Sequence, residues 1–354
     1  MVEYVPRFLV QCLIHSKHLK NVTVQAFPFF PFLPDLPFHF LDPSLGPSPS
    51  SSFLVSRPRV PEARMERMNV TEIYEGIEFP GHLHSQDSMQ AATEFQFQDT
   101  DVLIATYPKS GTTWMQEILT LIFSKGSLEL AHTIPSWARA PWLEHIFFNE
   151  LMAKMNPTFP RIFSTHLPSH ILAPALKKSK VTVLYVARHP KDVLVSFYHF
   201  HKIAKFLPDL GNFDDFLDQF LKGKVHFGSW FTHVQGWMDL REEVNINLIT
   251  YEDLSREPRR TIQRLCDILG CQLQSQEEDM ILKNCTFSAM SQNSMANYSL
   301  VSNKILDQTK GKFLRKGKIG DWREHFSPEQ NKKFNTIYLT KMKDYILHFP
   351  WSLD

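Results

Sequence analysis

The stretch ATYPKSGTTWMQEIL, residues 105–119, constrains the fold most, because an apolar strand runs through a short turn directly into helical spacing. The turn brings together the ammonium of Lys109, three hydroxyls and Gly111, whose missing side chain lets the backbone approach a ligand closely. The helix that follows offers N–H groups and a partial positive charge at its N-terminus. The turn therefore predicts a site for a strongly anionic group.

The alternation of apolar strand and helix recurs along the chain. Three units follow this pattern: 101–107 with 112–123, 181–188 with 189–204, and 246–254 with 257–270. Continuous apolar strands alternating with helices are typical of a parallel sheet covered on both faces. The sequence therefore predicts an α/β domain whose ligand crevice lies at the carboxyl ends of the strands.

The composition changes near residue 65. Ten of the 23 prolines precede it, and proline at this density blocks both helices and sheet ladders. Residues 1–64 are therefore expected to be a disordered, proline-rich extension, and residues 65–354 the folded domain. A translation start at Met65 or Met68 is the alternative, since ordinary domain sequence follows both.

Charge and composition exclude several classes of partner. A formal net charge of +1 gives no reason to expect binding to nucleic acid, and the sequence has no run of about 18 apolar residues for a membrane span. The segment RFLVQCLIHSK near the N-terminus is too short for a signal peptide. The four cysteines have neither metal nor disulfide spacing, which favours a reducing compartment and a cytosolic protein: Cys12, Cys266, Cys271 and Cys285.

Two further clusters could bind anions. In the first, Arg188 ends a predicted strand, and Ser196 lies two helical turns further along the helix that follows. In the second, Arg315, Lys316 and Gly317 put two cations beside a flexible backbone N–H. Each cluster alone is also typical of solvated surface. Together with the turn at Lys109, these clusters predict two anion pockets that a nucleotide with phosphate at both ends would join. Three aromatic residues are candidates for stacking its base: Trp114, Tyr251 and Phe287.

Four segments in this order resemble the cytosolic sulfotransferases: TYPKSGTTW (106–114), RHPKDVLVSFYHF (188–200), YEDL (251–254) and RKGKIGDW (315–322). The resemblance implies a single α/β domain with a P-loop-like turn. It implies transfer of a sulfuryl group from 3′-phosphoadenosine 5′-phosphosulfate (PAPS) to a hydroxyl, which leaves adenosine 3′,5′-bisphosphate (PAP), and no metal.

The resemblance also implies how PAPS is bound. The 5′-phosphosulfate would contact Lys109, Ser110, Gly111, Thr112, Thr113 and Trp114. The 3′-phosphate would contact Arg188, Ser196, Arg315, Lys316 and Gly317. The adenine side would be lined by Tyr251, Cys285, Thr286, Phe287 and Met290. Cys285 stands where relatives often carry a hydroxyl residue.

The acceptor side begins at IFSTHLP, residues 162–168, which resembles the family's catalytic-histidine motif. His166 would be the general base, Lys109 would act on the bridging oxygen of the leaving group, and Ser196 would restrain that lysine. Ser164 stands where many relatives carry a lysine, which points away from phenols and towards aliphatic alcohols.

Further segments resemble the hydroxysteroid branch of the family, among them IPSWARAPWLE (134–144) and GSWFTHVQGWM (228–238). The expected acceptor is therefore a 3β-hydroxysteroid or another lipophilic alcohol, as part of steroid and lipid metabolism. Its pocket walls would be Trp137, Trp142, Phe200 and Tyr298.

Alternatives remain open at this point. Transfer to phenols or amines, a nucleotide kinase, and a non-catalytic nucleotide or steroid binder are all compatible with an anion-binding turn. A kinase needs a lysine after the glycine, whereas Lys109 precedes Gly111. Relatives dimerise through a C-terminal segment that REHFSPEQNK (323–332) replaces here, which predicts a monomer or weak homodimer.

Overall fold

The computed structural model describes residues 70–345 and 349–353. The predicted boundary at residue 65 and the proline-rich segment before it lie outside the described residues.

Six strands occur in this part of the chain: β1 Thr71–Tyr74, β2 Ile77–Pro80, β3 Val102–Thr106, β4 Ile162–Thr165, β5 Thr182–Ala187 and β6 Ile246–Thr250. The first two form an antiparallel hairpin, and the other four form a parallel sheet in the order β4-β3-β5-β6. All five residues of β3 are buried, as expected for a strand covered on both faces.

Helices connect and cover the strands of this sheet. Within the described ranges they are α1 Gln86–Thr93, α2 Thr112–Phe123, α3 Glu129–Thr133, α4 Ser136–Arg139, α5 Phe148–Met152, α6 Ser169–Leu176, α7 Pro190–Ile203, α8 Phe213–Lys222, α9 Trp230–Leu240, α10 Tyr251–Arg256, α11 Pro258–Leu269, α12 Ser275–Asn284, α13 Phe287–Gln292 and α14 Pro328–Lys341, with a 3₁₀ turn at Asp321–Glu324. Two apolar cores result: one includes Ile118 of α2, and the other includes Trp237 of α9.

The strand–helix predictions hold at most boundaries. Helix α2 spans the predicted residues, and Gly270 ends α11 with a φ of 64°, as its position predicted. The prediction was wrong beyond Thr250, where the strand was extended to Leu254. The chain turns into α10 at Tyr251 because Oγ1 of Thr250 accepts the N–H of Asp253 at 3.0 Å and caps the helix.

The parallel register places the ends of four strands at one edge of the sheet. Ala105 pairs with Thr165, Thr106 with Val186, and Ala187 with Thr250. The residues that follow these strands therefore converge there, which is the arrangement that the sequence predicted for a ligand crevice.

Candidate active site

A cavity of about 480 Å³ opens at this edge of the sheet. Most of the predicted site residues line it: Lys109, Gly111, Thr112, Thr113, Trp114, His166, Arg188, Ser196, Phe200, Tyr251, Cys285, Thr286, Phe287, Met290, Tyr298, Arg315, Lys316 and Gly317. The structure thus brings together three clusters that are up to about 200 positions apart in the sequence.

The turn after β3 has the geometry of an anion-binding loop. Lys109 and Gly111 both have positive φ, 69° and 110°, which folds the backbone around the start of α2. No side chain caps that helix, so its first N–H groups are available to a ligand. A φ of 110° strains any residue other than glycine, and a Cβ at Gly111 would also lie only 3.0 Å from the Tyr251 ring.

The ammonium of Lys109 lies between two aromatic rings. Its Nζ is 4.2 Å from the ring centroid of Phe200 and 4.1 Å from that of Phe313, within the range of a cation–π contact. Burial, with the neighbouring charges of Arg188 and Arg315, lowers the pKa of Lys109 to about 7. At neutral pH the side chain is therefore only partly protonated, and an anionic ligand would stabilise its charged form.

Arg188 holds the two basic loops together. Its guanidinium donates to the backbone carbonyls of Lys109 and Lys318, each at 3.1 Å, and lies 4.1 Å over the ring of Tyr251. Its Nε is buried without a hydrogen-bond partner among the described residues. Two N–H donors of this arginine thus hold the two loops, and other donors of the guanidinium, including Nε, are left for a ligand.

The second basic turn, Arg315–Gly317, is held by ion pairs to carboxylates that do not line the cavity. Arg315 and Lys316 both pair with Asp321, Lys316 at 2.6 Å, and the ammonium of Lys316 also lies 2.7 Å from Glu324. Gly317 has a φ of 65°, and a Cβ there would lie 2.1 Å from the ring of Phe287. The close approach of backbone and ring therefore requires glycine.

A hydrogen bond fixes His166 in the tautomer that can accept a proton at Nε2. Its Nδ1 lies 2.7 Å from the carbonyl oxygen of Thr106, and because a carbonyl only accepts, Nδ1 must carry the proton. Burial lowers the pKa of His166 to about 3, so the ring is neutral near pH 7. Nε2 then presents its lone pair as a proton acceptor.

Glu144 and Trp142 fix the position of His166. Oε1 of Glu144 accepts the backbone N–H of His166 at 2.7 Å, and the indole of Trp142 packs on the imidazole with centroids 4.3 Å apart. Burial raises the pKa of Glu144 to about 7. Sequence reasoning missed Glu144, although it stands two residues after Trp142 in a segment that the resemblance had singled out.

Three predicted residues do not line the cavity. Ser110 lies fully buried beneath the loop, and its Oγ has no hydrogen-bond partner among the described residues. Trp137 lies on α4, and Trp142 packs against the ring of His166. Ser164, taken as a determinant of acceptor charge, is also buried away from it: its Oγ donates to Ala140 and accepts from Gln116.

Buried histidines make stability depend on pH. Burial lowers the pKa of each of these groups: His82, His84, His145, His166, His189, His199, His226 and His233. The unfolded chain, with histidine pKa values near 6.5, binds protons more tightly, so the stability is present above pH 6.5 and lost as pH falls towards 4. Glu117, Glu144 and Glu252 act in the opposite direction, since burial raises the pKa of each of these carboxyls, to about 7 for Glu144 and Glu252.

The histidines outnumber these three carboxyls, so we expect acid to destabilise the fold. Each pKa unit is worth about 1.4 kcal/mol, so the free energy of unfolding should fall by several kcal/mol between pH 7 and pH 5. Urea titrations at intervals across this range measure it. A midpoint that stays level or rises on acidification would contradict the expectation, and His84→Phe should flatten the dependence.

Comparison with known proteins identifies the family. A family model described as "Sulfotransferase domain" matches residues 99–346. A sulfotransferase 2B1 from Mus musculus is 41% identical over 310 residues, covering 87% of this chain and 90% of that protein. The chain belongs to the sulfotransferase family.

Two more relatives support the hydroxysteroid resemblance. A sulfotransferase 2A1 from Homo sapiens is 41% identical and covers 79% of this sulfotransferase and 98% of the relative. A 3-beta-hydroxysteroid sulfotransferase from Cavia porcellus is 40% identical, covering 79% and 97%.

Solved structures share the fold. A mouse sulfotransferase complexed with PAP is 26% identical with a TM-score of 0.64, covering 78% of this chain and 96% of that one. Retinol dehydratase in complex with androsterone and inactive cofactor PAP is 25% identical with a TM-score of 0.69, covering 79% and 92%. The predictions of a single α/β domain and of a sulfotransferase are confirmed, and a nucleotide kinase is not favoured.

Two findings concern the described residues alone. They contain no group of three or more histidine, cysteine, aspartate or glutamate side chains placed to hold a metal ion. None of the helices between residues 70 and 345 is both long and apolar enough to span a bilayer.

Proposed function

We propose that this sulfotransferase transfers a sulfuryl group from PAPS to the hydroxyl of a hydroxysteroid or related lipophilic alcohol, giving a sulfate ester and PAP. One observation carries the proposal: a single cavity combines the anion-binding loop of Lys109, the guanidiniums of Arg188 and Arg315, and the neutral imidazole of His166. The relatives named for hydroxysteroid sulfation and the structure containing androsterone support this acceptor class.

The residues present fit a donor with negative charge at both ends. Nε1 of Trp114 and Nε of Arg188, two residues that line the cavity, are buried without protein partners in the described chain. A buried polar group left unpaired costs about 1–3 kcal/mol, so such groups favour a ligand that completes their hydrogen bonds. Hydrogen-bond donors of this kind suit phosphate and sulfate oxygens.

We assign the loop from Lys109 to Trp114 to the 5′-phosphosulfate, and Arg188, Ser196 and the turn Arg315–Gly317 to the 3′-phosphate. Tyr251, Cys285, Thr286, Phe287 and Met290 would hold the adenine. Since Asp321 already balances part of the charge of Arg315 and Lys316, the guanidinium of Arg188 would supply most of the uncompensated charge.

The bound donor supplies an activated sulfuryl group. Nε2 of His166 would take the proton of the acceptor hydroxyl, because an alcohol is too weakly acidic to ionise beforehand at neutral pH. The ammonium of Lys109 would stabilise the charge that develops on the leaving phosphate oxygen, a contribution of about 3 kcal/mol. Ser196, which lines the same cavity, would restrain that ammonium.

Apolar side chains form the acceptor half of the cavity. Phe200 and Tyr298 both pack on Phe313, with the Tyr298 and Phe313 centroids 4.0 Å apart, and would give an aromatic wall for a rigid ring system. Trp142 would act through His166 rather than as a wall. We propose no role for Trp137 beyond packing on α4.

We further propose a cytosolic enzyme, with residues 65–354 as its sulfotransferase domain and residues 1–64 as an extension. A monomer or weak homodimer remains our expectation for its assembly, which sedimentation at micromolar concentration measures. Pro328 occupies the first position of α14, where a backbone N–H would have no partner within the helix, so its missing donor costs the helix no hydrogen bond.

Transfer of labelled sulfuryl from PAPS to a panel of acceptors tests the function. We expect 3β-hydroxysteroids and aliphatic alcohols to be sulfated in preference to phenols and amines. Preferential sulfation of phenols or amines would show that the proposed acceptor class is wrong. The absence of transfer to any member would overturn the proposal.

A further inference from the structure

His145 carries a polar group into the apolar half of the cavity. It lies on the turn between Trp142 and α5 and lines the cavity beside Pro80 and Phe227. Its ring stacks on the indole of Trp142, with centroids 5.6 Å apart and an interplanar angle of 22°. The ring of His84 meets it edge to face at 5.1 Å. Two aromatic contacts therefore fix how the imidazole is oriented.

The imidazole of His145 differs from its neighbours in its hydrogen bonds. Nδ1 of His84 lies 2.9 Å from the carbonyl of Pro80, and Nε2 of His233 lies 3.2 Å from the carbonyl of His166. The described residues give the side chain of His145 no such bond. Burial lowers the pKa of His145 well below its usual value, so the ring is neutral and offers one donor and one acceptor.

An acceptor that fills the cavity would displace the water that can hydrogen-bond to this imidazole. The surrounding walls are apolar, so a purely hydrocarbon skeleton would leave both ring nitrogens unpaired, whereas an oxygen on the skeleton would satisfy one of them. The reacting hydroxyl is already committed to Nε2 of His166. The group that pairs with His145 must therefore be a different oxygen of the same molecule.

We propose that His145 is a specificity-determining residue that hydrogen-bonds a second oxygen of the acceptor, a hydroxyl or carbonyl group other than the one that is sulfated. The inference rests on the proposed function. His145 and His166 both pack on Trp142, so both oxygens of the acceptor would be held from the same wall of the cavity.

The test compares matched acceptors in steady-state kinetics. A set of 3β-hydroxysteroids is used, one without a second oxygen and the others with a single hydroxyl or keto group at C6, C7, C16 or C17. Wild-type protein should prefer at least one oxygenated member over the parent. His145→Leu should lower kcat/KM for that member by roughly 5- to 100-fold and leave the parent unchanged or improved. His145→Gln, which keeps a donor and an acceptor, should restore part of the preference.

Matched controls separate this role from a structural one. His170→Leu removes an exposed histidine that pairs with Glu75 outside the cavity, and it should leave every acceptor unchanged. An equal loss on all members in His145→Leu would overturn the inference, as would unchanged ratios. If wild-type protein sulfates none of the steroids, the proposed function itself fails; if it sulfates them with ratios that His145 does not affect, only the inference fails.

Discussion

Replacing His166 with alanine is expected to lower kcat for steroid sulfation by about 10²- to 10⁴-fold, the range that a positioned general base contributes. The reason is geometric: the bond from Nδ1 to the carbonyl of Thr106 leaves Nε2 as the free proton acceptor. PAP affinity should change little, because the anion-binding groups belong to other loops. Single-turnover rates at saturating PAPS, with PAP binding by calorimetry, measure the two effects separately.

Trp142 packs directly on His166, so loss of the imidazole also leaves a gap. His166→Gln keeps most of the volume and a hydrogen-bonding side chain but removes the basic ring nitrogen. It should therefore bind PAP normally and still be inactive. Near-normal turnover in either variant would mean that another group takes the proton.

Lys109→Met should lower kcat by about 10²- to 10³-fold, the usual loss when one group that stabilises a developing oxyanion is removed. Methionine keeps an unbranched chain between Phe200 and Phe313 but carries no charge. The pKa of Lys109, about 7 in the free site, should rise when the polyanionic donor binds, so the rate should not follow the titration of the free lysine.

The matched control for this variant is Lys125→Met. Lys125 is an exposed lysine that also has a positive φ, 52°, so this substitution changes the same residue type in similar backbone away from the cavity. It should leave turnover unchanged. A loss of only a few-fold in Lys109→Met would show that the leaving group is stabilised mainly by the hydroxyls and backbone N–H groups at the N-terminus of α2.

The order of strands and helices was readable from the sequence because it depends on local pattern. The turn at Gly111 and the end of α11 at Gly270 follow from backbone preferences of single residues. The strand was extended past Thr250 because Tyr251 and Leu254 suit a strand in isolation. A side-chain cap decided the boundary, and such a cap is weaker evidence in a sequence than hydrophobic spacing.

The interior of the site was less predictable, because it depends on contacts between distant segments. The contact of Lys109 with Phe313 joins residues more than 200 positions apart, and the bond from Glu144 to His166 crosses 22. Neither has a local sequence signal. Trp142 was taken as a pocket wall for the same reason: its aromatic character was visible, but the side it faces was not.

The most direct test of whether one cavity binds both charged ends of the donor is calorimetric titration with PAP and, in parallel, with adenosine 5′-phosphate. We expect one PAP site per chain, with adenosine 5′-phosphate bound at least roughly 30-fold more weakly, since an unpaired buried arginine costs about 2–5 kcal/mol. Arg188→Ala should remove most of this difference, while Arg260→Ala, at an exposed arginine paired with Glu257, should not. No measurable binding of PAP, or equal affinity for the two nucleotides, would contradict a donor held at both ends.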